Sequence, residues 1–178
     1  MSGSVPVSRY TVDDLDRLPD DGNRYEVVDG GLLVTPAPGT RHQRAVGRLF
    51  VLLNGACRPD QEVLPAPVNF VIGPLDVPQP DLIVASVASI SERGVEGQAL
   101  LVVEVLSPTT RITDTTVKVA KYAEAGVAWY WIVDPDEPSL TVLRLTSGGY
   151  EEEAVVRGEE PYRAELPMLV TVAPASLV

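Results

Sequence analysis

A single carboxylate set inside an otherwise apolar run, Glu104 in LLVVEVLS, constrains this chain more than any other feature of its sequence. Near-continuous apolar residues over the length of one strand mark a strand covered on both faces, in the middle of a sheet. A charge there loses its water, and burying it unpaired would remove much of a domain's marginal stability. Glu104 therefore needs a bound cation, an Arg or Lys partner, or a solvent-filled cleft. Taken alone, a buried ion pair and a metal site are equally open.

The rest of the pattern builds a sheet around that strand. TVDDLDRLP reads as a short helix capped by Thr11, and RYEVVDGGLLVTP as a hairpin turning at Asp29-Gly30-Gly31. Residues 40–57 predict a long helix capped by Thr40, with Val46, Leu49, Phe50 and Leu53 at helical spacing. PVNFVIG and DLIVA read as strands, joined to LLVVEVLS through a loop, SVASISERGVEGQ. A second helix is expected from about Thr113 to Ala125, closed by Gly126, followed by a buried strand, WYWIVDP. LTVLRLTSGGYEEEAVV reads as a C-terminal hairpin, and the tail from Gly158, with few signals, as loop-rich. With 45% hydrophobic residues in 178, the chain reads as one domain over 1–178, an α/β mixed sheet flanked by helices with a hairpin near each end.

Asp81 gives Glu104 a neighbour. If DLIVA and LLVVEVLS pair antiparallel with Ala85 opposite Leu100, Asp81 lies across from Glu104 on one face, Cβ atoms roughly 4.5–5.5 Å apart. Two carboxylates that close repel unless something positive sits between them. Oxygen-only ligands suit Mg²⁺ or Mn²⁺. In a different register Asp81 is an ordinary turn residue after Pro80. Lys118 follows Asp114 by four residues, which reads either as an exposed helical ion pair or as a cation swung toward the carboxylates. Lys121, one turn on, is a second lysine within reach. His42, the only histidine, shares its stripe with Val46, Leu49 and Leu53 and is a core residue or a supporting contact beside the site.

Charge bears on the partner. The net charge of −11 opposes binding of a polyanion, yet residues 39–58 hold four arginines and no acid. Arg41, Arg44 and Arg48 form a stripe there that either faces solvent or touches phosphates. A lone cysteine, Cys57, suits a reducing cytoplasm, and MSGSVPVSRY has no apolar segment of a signal peptide. No apolar run is long enough to span a bilayer, so no membrane partner is expected.

PQPDLIVA followed by LLVVEVLSPTTRITDTTVKVAKYAEAGVAWYWIVDP resembles the Uma-two family (once the domain of unknown function eight-twenty) of the PD-(D/E)XK nuclease superfamily. YEVVDGGLLVTPAP and RHQRAVGRL are similar to that family's N-terminal half, and the likeness covers about residues 9–145. The resemblance implies a restriction-endonuclease-like fold and a divalent-metal site for cutting DNA, with RNA a substrate the sequence does not separate from it. Asp81 and Glu104 match its two acidic positions as metal ligands and catalytic groups. The position two beyond Glu104, the superfamily's usual lysine, is Leu106, and Lys118 matches a lysine displaced onto the next helix. Glu26 matches a further acidic position that would complete the metal sphere, and otherwise reads as an exposed strand residue beside Arg24. Gln79, ahead of Pro80-Asp81, is placed to hydrogen-bond near the metal. A homodimer is the superfamily's way of cutting both strands. A rival reading is a non-catalytic binding or assembly protein that keeps the fold, which the acidic surface favours.

Overall fold

The computed structural model describes residues 9–178; the first eight, which hold most of the MSGSVPVSRY segment read for a signal peptide, lie outside it. Helix α1 (Val12–Leu15) opens on Thr11, whose N–H and hydroxyl both donate to Asp14. Strands β1 (Arg24–Val28) and β2 (Gly31–Thr35) form the expected hairpin, with φ of 52° at Asp29 and 76° at Gly30 in its two-residue turn. Helix α2 (Thr40–Ala56) buries His42, Ala45, Val46, Leu49 and Leu53 on one face. Its cap is Gly39 and not Thr40, which already has a helical place.

The central sheet is built from β3 (Gln61–Pro65), β5 (Leu82–Ser86), β8 (Ala99–Val105), β9 (Trp129–Asp134), β10 (Ser139–Thr146) and β11 (Gly149–Arg157), in the order β11-β10-β9-β8-β5-β3. The β8–β9 pair is parallel and the others antiparallel, so the sheet is mixed. Residues alternate across β8. Leu101, Val103 and Val105 join Val46, Leu49 and Leu53 of α2 in one core, which faces away from Val102. Val102 and the Tyr130–Ile132 face pack with Tyr122 in a second core. Glu104 shares the parity of Val102 and so points to that second side.

Several expectations are corrected. The second helix is two pieces, α3 (Arg111–Thr115) and α4 (Val117–Glu124), broken at Thr116 (φ −132°, ψ −75°), although Gly126 closes it as expected with φ 73°. Only β4 (Phe70–Val71) of PVNFVIG is strand. It joins β6 (Ile90–Ser91) and β7 (Gly94–Glu96), both from the segment read as loop, in a small three-stranded sheet. A β-carbon on Gly94 (φ 132°) would come within 2.2 Å of the Asn69 carbonyl oxygen, so glycine lets β7 close on the Asn69 segment. Strand β3 went unread because Pro65 ends it after five residues. The tail is not loop alone: β12 (Tyr162–Ala164) and β13 (Val170–Val172) pair antiparallel. Ala164, Met168, Val170, Val172 and Leu177 fill the α2-side core, so that core runs well past residue 145. Among the described residues, no helix is long and apolar enough to cross a membrane.

Candidate active site

Strand pairing brings the two acids together. Leu82 pairs with Val103 and Val84 with Leu101, which carries Asp81 to the position facing Glu104. The Ala85–Leu100 pairing that sequence predicts is displaced: a bulge after Val84 pairs Ala85 with Ala99, at the end away from the acids. Asp81 sits one residue before its strand, at the sheet's end, where it reaches both the strand beside it and α2. The Val105 N–H donates to Asp81 Oδ2 at 2.8 Å, His42 Nε2 lies 3.1 Å from the same oxygen, and Arg24 Nη1 donates to Oδ1 at 2.8 Å. Both Asp81 oxygens are therefore engaged.

Glu104 is fully buried, and its Oε1 accepts from Tyr122 Oη at 2.7 Å and from Lys118 Nζ at 3.0 Å. Lys118 is no surface residue: with 1% exposure it lies 3.0 Å from Glu26 Oε1, 3.0 Å from Glu104 Oε1 and 3.3 Å from Asp114 Oδ1. The Asp114–Lys118 pair exists, but inside the protein. Glu26 is buried too, accepting from the Gln79 N–H at 2.7 Å and lying 3.6 Å from Arg24 Nε. Gln79 in turn donates its Nε2 to Asn69 Oδ1 at 2.9 Å.

The other candidates fall elsewhere. Lys121 faces Asp29, Asp76 and Glu124, away from this cluster. Arg41, Arg44 and Arg48 are exposed on α2; Arg41 pairs with Asp136, and Arg48 donates to the carbonyls of Ser176 and Val178. Sequence reasoning names Arg24 and Asp114 only as neighbours of Glu26 and Lys118, and it does not single out Tyr122. Tyr122 had a signal, since it stands four residues after Lys118 and so on the same helical face.

Charges are unbalanced inside this cluster. Glu26, Asp81, Glu104 and Asp114 face Arg24, Lys118 and the imidazole of His42; with all four acids counted as ionised, the two fixed cations leave a formal deficit of two positive charges. The protein meets it unevenly. Burial pushes the Glu104 carboxyl up to about 8; Lys118 opposes the rise, and Asp114, Asp81 and Glu26 add to it. Burial also disfavours charge on Asp81, but the His42 hydrogen bond, Arg24 and the Val105 N–H outweigh it and hold that carboxyl below its ordinary value. Asp114 is raised, chiefly by burial. Burial works against the Lys118 ammonium, and Glu104, Glu26 and Asp114 override it, so the lysine stays charged. Two neighbouring acids pushed in opposite directions are the usual mark of divided acid and base roles.

Buried polar atoms without a partner gather in the same place. Glu104 Oε2, His42 Nδ1, Gln79 Oε1, Arg24 Nε and Asp114 Oδ1 are five of the six such atoms among the described residues. Native proteins satisfy nearly all buried polar atoms, so this concentration marks room for water, an ion or a substrate. A cleft of about 680 Å³ opens over Asp81, Arg24, His42 and Gln79, between the β1–β2 hairpin and the Ser107–Thr110 turn. Among the described residues no three His, Cys, Asp or Glu side chains stand ready-grouped around one ion position. The donor chemistry nonetheless fits a hard divalent cation: carboxylate oxygens, one of them open, with two charges to neutralise.

The sequence profile of the Uma2 family, described as "Putative restriction endonuclease", matches residues 12–173. Among solved structures the chain is similar to a crystal structure of "a putative nuclease belonging to DUF820" from Anabaena variabilis, with 22% identity over 88% of this chain and 89% of that one and a TM-score of 0.71. At that identity the likeness speaks for the fold, a mixed sheet flanked by helices of the restriction-endonuclease-like kind. No curated protein gives a significant match.

Proposed function

The chain belongs to the Uma2 family, and from that membership and its buried carboxylates we propose that it is a divalent-metal-dependent nuclease that hydrolyses phosphodiester bonds in DNA. The two-charge deficit of the cluster, with Glu104 Oε2 open and Asp81 beside it, carries this reading. Asp81 and Glu104 would hold Mg²⁺ or Mn²⁺, with Glu26 completing the set directly or through water. Bound there, the ion would supply positive charge to a phosphoryl oxygen and make a bound water a better nucleophile.

The chain's own groups do the rest. His42 and the Val105 N–H fix Asp81 in its charged form, and Gln79 fixes Glu26. Lys118 holds Glu26 and Glu104 in place and is the ammonium beside them able to polarise an attacking water. Arg24, which lines the cleft and pairs with Asp81, would be the cation nearest a bound phosphate. The protein would work as one domain in a reducing cytoplasm, and cutting both strands of a duplex would take a homodimer.

Incubating labelled DNA with the protein and Mg²⁺ or Mn²⁺ should give cleavage that EDTA and Glu104→Gln both abolish. Equal cleavage by Glu104→Gln would place the chemistry elsewhere. The second reading, a binding or assembly protein, is favoured by one observation: Lys118 and Arg24 already occupy much of the acidic cluster. It predicts a protein that binds Mn²⁺ and cuts neither DNA nor RNA under either metal.

A further inference from the structure

The cleft over the carboxylates is poorly equipped to grip a polyanion. Arg24 is the only Lys or Arg among the described residues that line it, and its side chain is 17% exposed; Asp16, Asp20 and Asp81 line the same space. Pro19, Pro36, Pro38, Pro67 and Pro108 stiffen its walls between uncharged polar side chains such as Asn23, Gln43 and Asn69, with the half-buried ring of Tyr25 at one side. Outside the cleft, cations are largely spoken for. Arg17, Arg41, Arg58, Arg93, Arg111 and Arg144 each pair with a nearby Asp or Glu.

Proteins that bind duplex DNA through its backbone neutralise many phosphates, commonly about 6–10. Nothing lining this cleft supplies that number. A volume of about 680 Å³ is instead that of a small-ligand site, roughly 300–1,000 Å³. The Tyr25 ring and the stiff proline surfaces suit bases and sugars that have left a stack, since every base offers a flat face to pack, and the amide side chains between them can meet base edges.

We infer that the cleft takes an unpaired nucleic-acid strand or strand end, a nucleotide or two at a time, with Arg24 as its one cationic phosphate contact and the proline walls and Tyr25 against bases and sugars. The inference rests on the nuclease reading and narrows its substrate; it also removes the need for a second copy of the chain. Arg24 would turn from Asp81 Oδ1 toward the phosphate, its planar fork suiting two phosphate oxygens at once.

The test measures binding and cleavage of three fluorescein-labelled probes by the full chain with Mg²⁺: a single-stranded DNA octamer, the same octamer in RNA, and a DNA duplex. One cationic phosphate contact on a single strand predicts a loss of only about threefold in affinity between about 50 and about 200 mM salt. Arg24→Gln should weaken binding of the octamer at least about fivefold and flatten the salt dependence, and Arg24→Lys should restore the slope. Replacing Arg41, Arg44 and Arg48 together by Gln should change octamer binding less than about twofold, because none lines the cleft. Comparing the DNA and RNA octamers identifies the sugar the cleft accepts. Preferential binding of the duplex, with a loss of about a thousandfold over the same salt range, would overturn the inference and leave the nuclease reading intact. A larger effect of the triple substitution than of Arg24→Gln would overturn it as well. Octamers that bind with the shallow slope and are never cut would sustain the cleft assignment and sink the nuclease reading.

Discussion

The outer hairpin and the middle of the central sheet use the same kinds of charged pair with different consequences. On the outer hairpin, Arg144 Nε meets Glu153 Oε2 at 2.8 Å, with both side chains nearly half exposed. At β8, Lys118 Nζ meets Glu104, Glu26 and Asp114 at 3.0–3.3 Å, with all four groups closed from solvent. Distances are alike, and the surroundings decide the consequence. Water screens the outer pair and replaces either partner when it is lost. Inside, burial weakens that screening, so each group is held by the others and a missing charge shifts a neighbour's proton affinity.

Removing the shared cation is the harshest way to break this comparison. Lys118→Met should destabilise the fold by about 3–5 kcal/mol in urea denaturation at neutral pH, since it leaves carboxylates buried without a partner. Recovery toward wild type should follow acidification, as those carboxylates take up protons. A loss no larger than that of a surface substitution would show the cluster to be wetter than its burial implies.

Titration gives a gentler test. The folded Glu104 carboxyl sits at about 8 and the unfolded one near its ordinary value, so between these the native state holds a proton that the unfolded chain has released. Stability from this group is full at acid pH and is lost as pH rises toward about 8, at about 1.4 kcal/mol per pH unit, levelling above it. Glu104→Gln should remove that slope while keeping the Tyr122 contact's shape. A wild-type profile as flat as that of Glu104→Gln would contradict the assignment of the high proton affinity to this residue. The smallest effect belongs to the outer hairpin: Arg144→Ala should leave the urea midpoint where it is, and a clear fall would erase the contrast between hairpin and sheet interior.

The part of this arrangement legible in the sequence is the part governed by strand geometry. An acid inside LLVVEVLS and another at the head of DLIVA face each other because side chains on paired strands repeat every two residues, and the bulge at Ala85 lies on the far side of the match. Lys118 was harder. Asp114 and Lys118 at helical spacing look the same whether the helix is bare or covered, and only the β1–β2 hairpin carrying Glu26 closes over this one. Arg24 escaped because its partner, Asp81, is 57 positions away. The tail was missed for a local reason. Strands β12 and β13 have three residues each, too few to show alternation, and Leu166-Pro167 between them reads as a break. Their buried residues become apparent only against α2 and the sheet.

Titrating Mn²⁺ into the protein calorimetrically near pH 7, in two buffers of different ionisation enthalpy, tests the central claim that the carboxylate cluster awaits a divalent cation. The account predicts one ion per chain with release of about one proton, because Glu104 is mostly protonated there before the metal arrives. Glu104→Gln should lose both the binding and the proton release, and Asp81→Asn the binding. Absence of Mn²⁺ binding by the wild type, or binding that both variants retain, would contradict it.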